Sequence, residues 1–408
     1  VVTTNVQFFE SLFANKKRSA RKLHNIAKSV IIFDEVQVLP RDYLKPSLLA
    51  VQELVQNYGA SAVFCTATQP SLPQFFPAEE KTKIQFTELA PNPQELFDFY
   101  RRVRVENLAT QTDEDIIAAL QTHRQTLCIV NTRKHAKGLF AQLDGDGNFH
   151  LSTLMCPKHR EETMREIRQR LADGKPCRVV STQVMEAGID LDFPVGYRAL
   201  AGLDSIIQAA GRVNREGKQA SGTMFVFTPK TEFIKRTPAF IAQTGAVAAG
   251  TLARFADDPT SIQAIEAYYQ QLYTLQGEES FDARNILGYF DKGTGKPDFD
   301  FKTAAENFKF IDDNTVGVII PYDNEAKRLI ETLKYTTFPA SVLRKLQIYT
   351  VNIYEREFMD LQSKGVILTI EEQYHVLDES WMGEEKYYHP QTGLMLPASG
   401  GGDAIFFD

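Results

Sequence analysis

The stretch at residues 30–37, VIIFDEVQ, constrains the fold and chemistry of this chain more than any other. Its four apolar residues, 30–33, predict a strand that is buried on both faces of a parallel sheet. The strand ends in two carboxylates, Asp34 and Glu35, and ligands of open α/β sheets bind beyond the carboxyl ends of the strands. One such acid can hold a hydrated Mg²⁺ while the other accepts a proton from an attacking water. The alternative is a strand that ends in two solvated acids.

Composition is typical of a soluble globular protein. The length of 408 residues predicts two or three domains, and the net charge of −7 argues against a protein that coats nucleic acid indiscriminately. The sequence contains no long apolar run and no signal peptide, so we expect a cytoplasmic protein without a membrane partner. The cysteines form no CxxC pair and are expected to be reduced core residues. They are Cys65, Cys128, Cys156 and Cys177.

Alternating helix and strand signals predict an α/β fold with two lobes, the first truncated at its N-terminal side. In the first lobe, the tail of a strand is followed by a helix that Thr3, Thr4 or Asn5 would cap, and free N–H groups at such a helix start suit a phosphate. The other predicted elements of this lobe are a helix at 43–58 and a buried strand at 61–65.

The second lobe and the region after it follow different patterns. The predicted elements of the second lobe are helices at 113–124, 135–143, 158–171 and 205–215, and strands at 126–130, 178–181 and 223–227. Residues 242–273 predict a helical, largely solvent-facing region without a catalytic constellation. The remaining predicted elements are strands at 316–321 and 349–353 and helices at 325–333 and 355–364.

The most specific motif is QAAGRVNREG at residues 208–217. Gln208, Gly211, Arg212 and Arg215 are spaced i, i+3, i+4 and i+7, which predicts that one face of a helix carries them all. Two guanidiniums on that face suit the oxygens of a transferring phosphoryl group. The alternative is a surface helix that carries two arginines.

The order of the motifs resembles that of superfamily 2 helicases, in which two RecA-like lobes clamp ATP. These motifs are DEVQ at 34–37, TAT at 66–68, NTRK at 131–134, STQVMEAGID at 181–190 and the arginine motif at 208–217. More closely, QFFESLFANK, IIFDEVQVLP, CTATQP and IDDNTVGVIIPYD resemble segments of the CRISPR-associated helicase-nuclease of type I systems. The resemblance covers nearly the whole chain and implies part of a first RecA-like lobe, a second lobe, a helical linker and a mixed α+β accessory domain. The implied boundaries are 1–92, 93–235, 236–300 and 301–408.

The resemblance also implies a role for each matching residue. Asp34 would bind Mg²⁺ through water, Glu35 would polarise the attacking water, and Gln37, where many relatives have His, would link the nucleotide site to the second lobe. Thr66 and Thr68 would couple hydrolysis to lobe movement. The residues expected to contact ATP in the second lobe are Gly188, Asp190, Gln208 and Gly211, with Arg212 and Arg215 as arginine fingers. The residues expected to hold single-stranded DNA are Thr4, Asn5, Thr132, Arg133 and Thr182.

Two departures from the family limit these expectations. The sequence contains no GxxxxGK[ST] phosphate loop and no His-Asp nuclease motif, and it does not begin with Met. We therefore expect a fragment that is inactive by itself, with the nuclease metal bound upstream. The implied partners are single-stranded DNA and an RNA-guided surveillance complex (Cascade). The alternatives are a general superfamily 2 RNA or DNA helicase and a non-catalytic binding module, which the missing phosphate loop favours.

Overall fold

The computed structural model describes residues 1–66, 68, 72–76, 85–186, 189–230, 233, 237–290, 299–311 and 314–396. The chain divides into two units that do not follow chain order. The first unit is Val1–Tyr100 with Thr260–Asp313, and the second is Arg101–Pro259 with Asn314–Asp408. The predicted four-part division of the sequence stays a prediction.

The elements follow one another in chain order. The helices are α1 (Asn5–Leu12), α2 (Lys17–Ala20), α3 (Leu23–Ile26), α4 (Leu44–Asn57), α5 (Pro93–Tyr100), α6 (Asp113–Thr122), α7 (Arg133–Phe140), α8 (Pro157–Ala172), α9 (Leu203–Ala210), α10 (Ala239–Arg254), α11 (Ile262–Gln276), α12 (Phe301–Asn307), α13 (Asn324–Leu333), α14 (Pro339–Leu346) and α15 (Glu355–Ser363). The strands are β1 (Val30–Asp34), β2 (Ser61–Cys65), β3 (Val103–Gln111), β4 (Gln125–Ile129), β5 (Asn148–Leu151), β6 (Cys177–Ser181), β7 (Val195–Ala199), β8 (Gly222–Pro229), β9 (Thr315–Ile319), β10 (Thr350–Tyr354), β11 (Ile367–Ile370), β12 (Tyr374–Leu377), β13 (Tyr388–His389) and β14 (Gly393–Leu394).

In the first unit, β1 and β2 are neighbours and run parallel, which confirms the predicted parallel arrangement. Asp34 lies opposite Cys65, so the two strands end side by side. The expected burial of β1 on both faces is wrong in this structure, and so is the expected burial of β2, whose residues are exposed or half-buried. Phe33 is 2% exposed, but Val30 and Ile32 are 68% and 67% exposed, because the described residues cover only one face of the pair. The expected strand tail before α1 is also wrong, since residues 1–4 adopt no regular structure.

An aromatic cluster fills the core of the first unit. The ring of Phe33 stacks on Phe9 at 5.5 Å between centroids, and Phe9 contacts Phe310 at 5.6 Å. The hydroxyl of Tyr43 donates to the carbonyl of Asn307 at 3.0 Å. Aromatic pairs of this kind add to the gain from burying their surface, so residues far along the chain are tied to the β1–β2 pair.

The region after residue 239 is more buried than the sequence predicted. It is helical, as predicted, and forms two helices: α10 belongs to the second unit and α11 to the first. Each helix buries an apolar stripe, so the expectation of a largely solvent-facing region is wrong. The buried side chains include Ile241, Val247, Ala248 and Leu252 on α10 and Ala264, Ile265, Tyr268 and Leu272 on α11.

The second unit contains a parallel sheet in the order β3-β8-β7-β4-β6-β5. This order confirms the predicted α/β lobe, although β3, β5 and β7 were not predicted. The sequence of β7, VGYRA, gives only a weak strand signal, because it combines a glycine with an arginine. A Cβ at Gly196 would lie 2.6 Å from Met224 Cε and 2.8 Å from Val213 Cγ2, so a larger residue there would force these side chains to move.

The C-terminal part of the second unit forms a mixed sheet in the order β10-β9-β12-β11, which confirms the predicted mixed α+β architecture. Its apolar core includes Leu154 and Cys156, which precede α8 in the lobe. The N–H of Leu394 in β14 donates to the carbonyl of Leu154 at 2.8 Å. None of the helices in the described ranges has the length and apolar character needed to cross a bilayer.

Candidate functional site

Asp34 and Glu35 lie at the carboxyl end of β1, both exposed to solvent. Glu35 has φ 51° and ψ 50°, the left-handed region that a residue with a Cβ rarely adopts. Its N–H donates to Asp34 Oδ1 at 3.1 Å. Backbone strain of this kind persists only where surrounding contacts hold it, and it concentrates at functional sites.

A hydrogen-bonded chain leads away from Glu35 to the end of β2. Gln37 Nε2 donates to Glu35 Oε2 at 2.5 Å, and the hydroxyl of Thr66 donates to Gln37 Oε1. The N–H of Thr68 donates in turn to Thr66 Oγ1 at 3.1 Å. The structure therefore brings together Glu35, Gln37, Thr66 and Thr68, which lie up to 33 positions apart in sequence.

The chain continues into a helix that the sequence did not connect with the site. The hydroxyl of Thr68 is fully buried and lies 3.3 Å from the hydroxyl of Tyr269 on α11. No sequence pattern pairs these two residues, since they are 201 positions apart. Tyr269 is thus a residue of this network that sequence analysis missed.

In the second unit, the predicted helix at 205–215 is wrong at its end. Helix α9 stops at Ala210, and Gly211 forms its C-cap. The N–H of Asn214 bonds to the carbonyl of Phe193, and Asn214 has φ 46°, so the chain leaves the helical path. Gln208 therefore lies on the helix, while Arg212 and Arg215 lie in the loop after it, and the prediction that one helical face carries all four residues is wrong.

Arg212 is held by main-chain carbonyls of the segment after β6. Its Nε and Nη2 donate to the carbonyl of Glu186 at 3.2 and 2.6 Å, and its Nη1 donates to the carbonyl of Ile189. Three donors of one planar guanidinium are thereby fixed by a short stretch of backbone. The predicted nucleotide residue Gly188 belongs to this stretch but lies outside the described residues.

Arg215 lies closer to solvent than Arg212. Its Nε donates to Asp190 Oδ1 at 3.0 Å, and its N–H donates to Asp192 Oδ1 at 2.7 Å. The side chains of Arg215 and Asp190 are 46% and 85% exposed. An exposed pair of this kind contributes little to stability, so both groups are accessible to a charged ligand.

Glu186, whose carbonyl binds Arg212, also forms a buried ion pair that sequence analysis missed. Arg198 of β7 is completely buried, and its Nη2 lies 2.8 Å from Oε1 of Glu186. Burial raises the pKa of the Glu186 carboxyl, and the charge of Arg198 opposes that rise. Arg198 Nη1 donates to Asn131 Oδ1 at 2.6 Å. The sequence signal, an arginine inside a strand, is visible only once β7 is recognised.

The predicted DNA contacts fall at three helix or strand ends. Thr4 caps α1 by accepting the N–H of Gln7 at 3.1 Å, which confirms one of the three predicted caps. The hydroxyl of Thr132 caps α7 in the same way, through the N–H of His135 at 3.2 Å. The neighbouring strand β6 leads into Thr182, which is buried. Asn5 is the first residue of α1. Their roles as DNA ligands stay predictions.

Arg133 follows Thr132 and is 6% exposed. Its Nη2 lies 3.2 Å from Glu357 Oε1 on α15, and its guanidinium lies 5.9 Å from the ring centre of Tyr354. A contact between Arg133 and a phosphate would require this pair to open, so that contact also stays a prediction.

The cysteines are free thiols, as predicted. Burial raises the pKa of Cys128 to about 12, which keeps the thiol protonated and unreactive. Among the residues with described positions, no group of three or more His, Cys, Asp or Glu side chains converges on a point that could hold a metal ion.

The parallel sheet of the second unit has a RecA-like α/β architecture. Residues 122–218 match the family model described as CRISPR-associated nuclease/helicase Cas3, C-terminal. A CRISPR-associated nuclease/helicase Cas3 from Haloferax volcanii is 26% identical over 322 residues, which covers 56% of this chain and 34% of that protein. These matches confirm the resemblance inferred from the motifs: the chain is similar to a C-terminal portion of CRISPR-associated nuclease/helicase Cas3.

Solved structures show the same fold. T. fusca Cas3 with AMPPNP superposes with a TM-score of 0.62 at 15% identity, over 94% of this chain and 53% of that one. A chain of a CRISPR RNA-guided surveillance complex in a pre-nicking state superposes with a TM-score of 0.58 at 15% identity, over 95% and 59% of the two chains. This chain spans 26% to 34% of the length of the curated relatives it matches.

Proposed function

We propose that this chain is part of an ATP-dependent helicase that moves 3′-to-5′ along single-stranded DNA. In the full-length protein, the motor would pass target DNA to an HD nuclease during type I CRISPR interference. The observation that carries the proposal is the hydrogen-bonded chain from Glu35 through Gln37 to Thr66 and Thr68. It joins a candidate general base to a neighbouring strand end, as expected where hydrolysis is coupled to movement.

Glu35 is the proposed general base. Its carboxylate is exposed, and Gln37 Nε2 holds one of its oxygens at 2.5 Å, which leaves the other oxygen to accept a proton from water. Asp34 Oδ1 accepts the N–H of Glu35, whereas Glu35 Oε2 accepts the side-chain amide of Gln37. The two adjacent carboxylates can therefore serve different partners.

The residues present fit a magnesium ion bound largely by water. Asp34 supplies a hard carboxylate oxygen at an exposed strand end, which suits Mg²⁺. In this proposal Asp34 would hold the ion through water, and nucleotide phosphates would supply further oxygen ligands. When bound, the ion would neutralise charge on the phosphates of ATP.

Arg212 and Arg215 are the proposed arginine fingers, with Gln208, Gly211 and Asp190 near the nucleotide. A planar guanidinium can engage two phosphate oxygens and stabilise charge that develops as the phosphoryl group transfers. The exposed Arg215–Asp190 pair supports this role, because it can exchange its partner without exposing a buried charge. ATP as the ligand is further supported by the AMPPNP bound to T. fusca Cas3.

DNA and the surveillance complex are the proposed partners. Thr4 and Asn5 at the start of α1, Thr132 and Arg133 at the start of α7, and Thr182 directly after β6 would hold phosphates of the single strand. Binding to an RNA-guided complex is supported by the structural similarity to a chain of such a complex.

The decisive experiment uses the protein at its full encoded length. We expect Glu35→Gln to abolish DNA-stimulated ATP hydrolysis while leaving ATP binding nearly intact, because the amide keeps the shape but cannot take a proton. The matched control is Glu53→Gln, an exposed glutamate on α4 whose partner is Asn57. Equal loss of nucleotide binding and turnover in Glu35→Gln would assign Glu35 a structural role. A wild-type protein without DNA-stimulated hydrolysis would refute the helicase proposal.

The isolated polypeptide 1–408 gives a second test. Nothing in its sequence matches the phosphate loop that neutralises the β- and γ-phosphates, so we expect no measurable ATP hydrolysis. DNA-stimulated phosphate release by this polypeptide, at a rate typical of helicases, would contradict that expectation.

A further inference from the structure

The buried pair of Glu186 and Arg198 joins three separate elements of the second unit. Glu186 Oε1 lies 2.8 Å from Arg198 Nη2 on β7, and Glu186 Oε2 accepts the hydroxyl of Ser205 on α9 at 3.0 Å. Arg198 Nη1 donates to Asn131 Oδ1, just beyond β4, at 2.6 Å. One carboxylate is thus fixed against a central strand and the helix that precedes Arg212.

Stability alone does not explain this pair. Glu186 is 6% exposed and Arg198 0%, so both charges have lost their contact with water. Removing two charges from water costs about as much as their attraction returns, and apolar residues of similar size would often serve a core as well. The physical benefit of such a pair lies in the defined geometry that it imposes on the elements it connects.

That geometry reaches Arg212 through the backbone of Glu186. The carbonyl of Glu186 accepts both Nε and Nη2 of Arg212, at 3.2 and 2.6 Å. The carboxylate of the same residue pairs with Arg198 and accepts a hydrogen bond from Ser205. A shift of the Glu186 side chain would therefore move the carbonyl that orients the guanidinium of Arg212.

We propose that Glu186 and Arg198 are positioning residues that set the orientation of Arg212 for ATP hydrolysis. Neither residue touches the nucleotide in this proposal. The proposal rests on the proposed function, because Arg212 needs a defined orientation only if the chain takes part in phosphoryl transfer. Within the motif at 181–190, the Glu186 side chain would contact Arg198 and Ser205, while its main-chain carbonyl would orient Arg212.

The test measures kcat, the KM for ATP and the thermal midpoint in the full-length protein. Glu186→Gln keeps the side-chain shape but removes the negative charge that balances the positive charge of Arg198. We expect kcat to fall by about 10- to 100-fold, since a displacement of about 1 Å at a reacting site can cost about 100-fold. The KM for ATP and the affinity for DNA are expected to stay near their wild-type values.

Two further variants separate positioning from stability. Glu186→Gln with Arg198→Met removes both buried charges at similar volume, so the thermal midpoint should recover relative to Glu186→Gln alone, while kcat stays low. Recovery of kcat together with the midpoint would overturn the proposal. Should Glu186→Gln fail to fold, Ser205→Ala removes a single hydrogen bond to the carboxylate, and we expect it to lower kcat several-fold at an unchanged KM. A Ser205→Ala protein with wild-type kcat would equally overturn the proposal.

A double-mutant cycle with Arg212 tests the route of the effect. In an Arg212→Ala background, Glu186→Gln should lower kcat by less than about twofold, because the group it positions is already absent. An undiminished loss in that background would show that Glu186 acts by another route and would overturn the inference.

The matched control is Glu161→Gln, which breaks the exposed pair with Arg165 on α8. If the wild type and this control both lack DNA-stimulated hydrolysis, the proposed function falls and this inference falls with it. If both hydrolyse ATP and Glu186→Gln is equally active, only the inference about Glu186 is refuted.

Discussion

Replacing Gln37 by leucine removes the amide that links Glu35 to Thr66 while keeping a side chain of similar volume. The Gln37 amide nitrogen donates to the Glu35 carboxylate at 2.5 Å, and its oxygen accepts the hydroxyl of Thr66. The variant therefore breaks both bonds at once. The proposed general base loses the contact that orients it, and Thr66 loses its link to the first strand.

The size of the effect follows from the bond to the carboxylate. A hydrogen bond to a charged group contributes about 1.5–3 kcal/mol. Because Glu35 is exposed and water can replace the lost donor, we expect the lower end of that range. A loss of about 1.4 kcal/mol in the transition state corresponds to a roughly tenfold lower rate. The KM for ATP should stay unchanged, since Gln37 in this proposal orients the base and does not bind ATP.

The assay compares DNA-stimulated ATP hydrolysis in full-length wild type, Gln37→Leu, Thr66→Val and the double variant. Thr66→Val leaves the Gln37–Glu35 bond in place, so its effect on kcat should be smaller. The double variant should be no worse than Gln37→Leu alone, because both changes break one chain of contacts. The control is Gln56→Leu, which changes an exposed glutamine on α4 and should leave the rate unaltered.

Two results would refute this reasoning. If the effects of Gln37→Leu and Thr66→Val on kcat multiply in the double variant, the two residues act independently and do not form one chain. If Gln37→Leu raises the KM for ATP at an unchanged kcat, Gln37 binds the substrate rather than orienting Glu35.

Three other predictions concern the second unit. Arg212→Lys or Arg215→Lys should cost the full-length enzyme most of its DNA-stimulated ATPase at unchanged DNA affinity, because lysine lacks the planar fork; near-normal turnover in both would mean that the arginines only brace the surface. Tyr388→Phe should lower the free energy of unfolding by about 1–3 kcal/mol. The buried hydroxyl accepts the N–H of Cys156 at 3.2 Å and lies 3.0 Å from His159 Nδ1, and the variant loses both contacts. Urea titration measures the effect, and an unchanged midpoint would contradict this prediction. Burial lowers the pKa of His159 from 6.5 to about 4, so the unfolded chain binds the proton more readily. Stability should therefore fall as the pH drops from 6.5 to 4, by up to about 1.4 kcal/mol per pH unit from this group, and His159→Gln should flatten that part of the profile.

The sequence by itself determined where the main strands end and which chemistry follows them. Apolar, β-branched runs predicted the strands at 30–33 and 61–65, and both were found within one residue of the expected bounds. Local pattern suffices here because a run of apolar, β-branched residues favours a strand, and the polar residues after it mark its end. The same local reasoning limited the cap of α1 to Thr3, Thr4 or Asn5, and Thr4 fills it, since a threonine hydroxyl and a main-chain N–H three residues later meet without help from distant residues.

Only the tertiary structure decided where α9 ends and what holds the arginines after it. Helical spacing extended the helix to Arg215, but pairing between Phe193 and Asn214 draws the chain away after Ala210. The buried pair of Glu186 and Arg198 was likewise invisible, because an arginine inside a strand contradicts local pattern until its partner is known. A charge can enter a core only where another element supplies the opposite charge, and that compensation is a property of the fold.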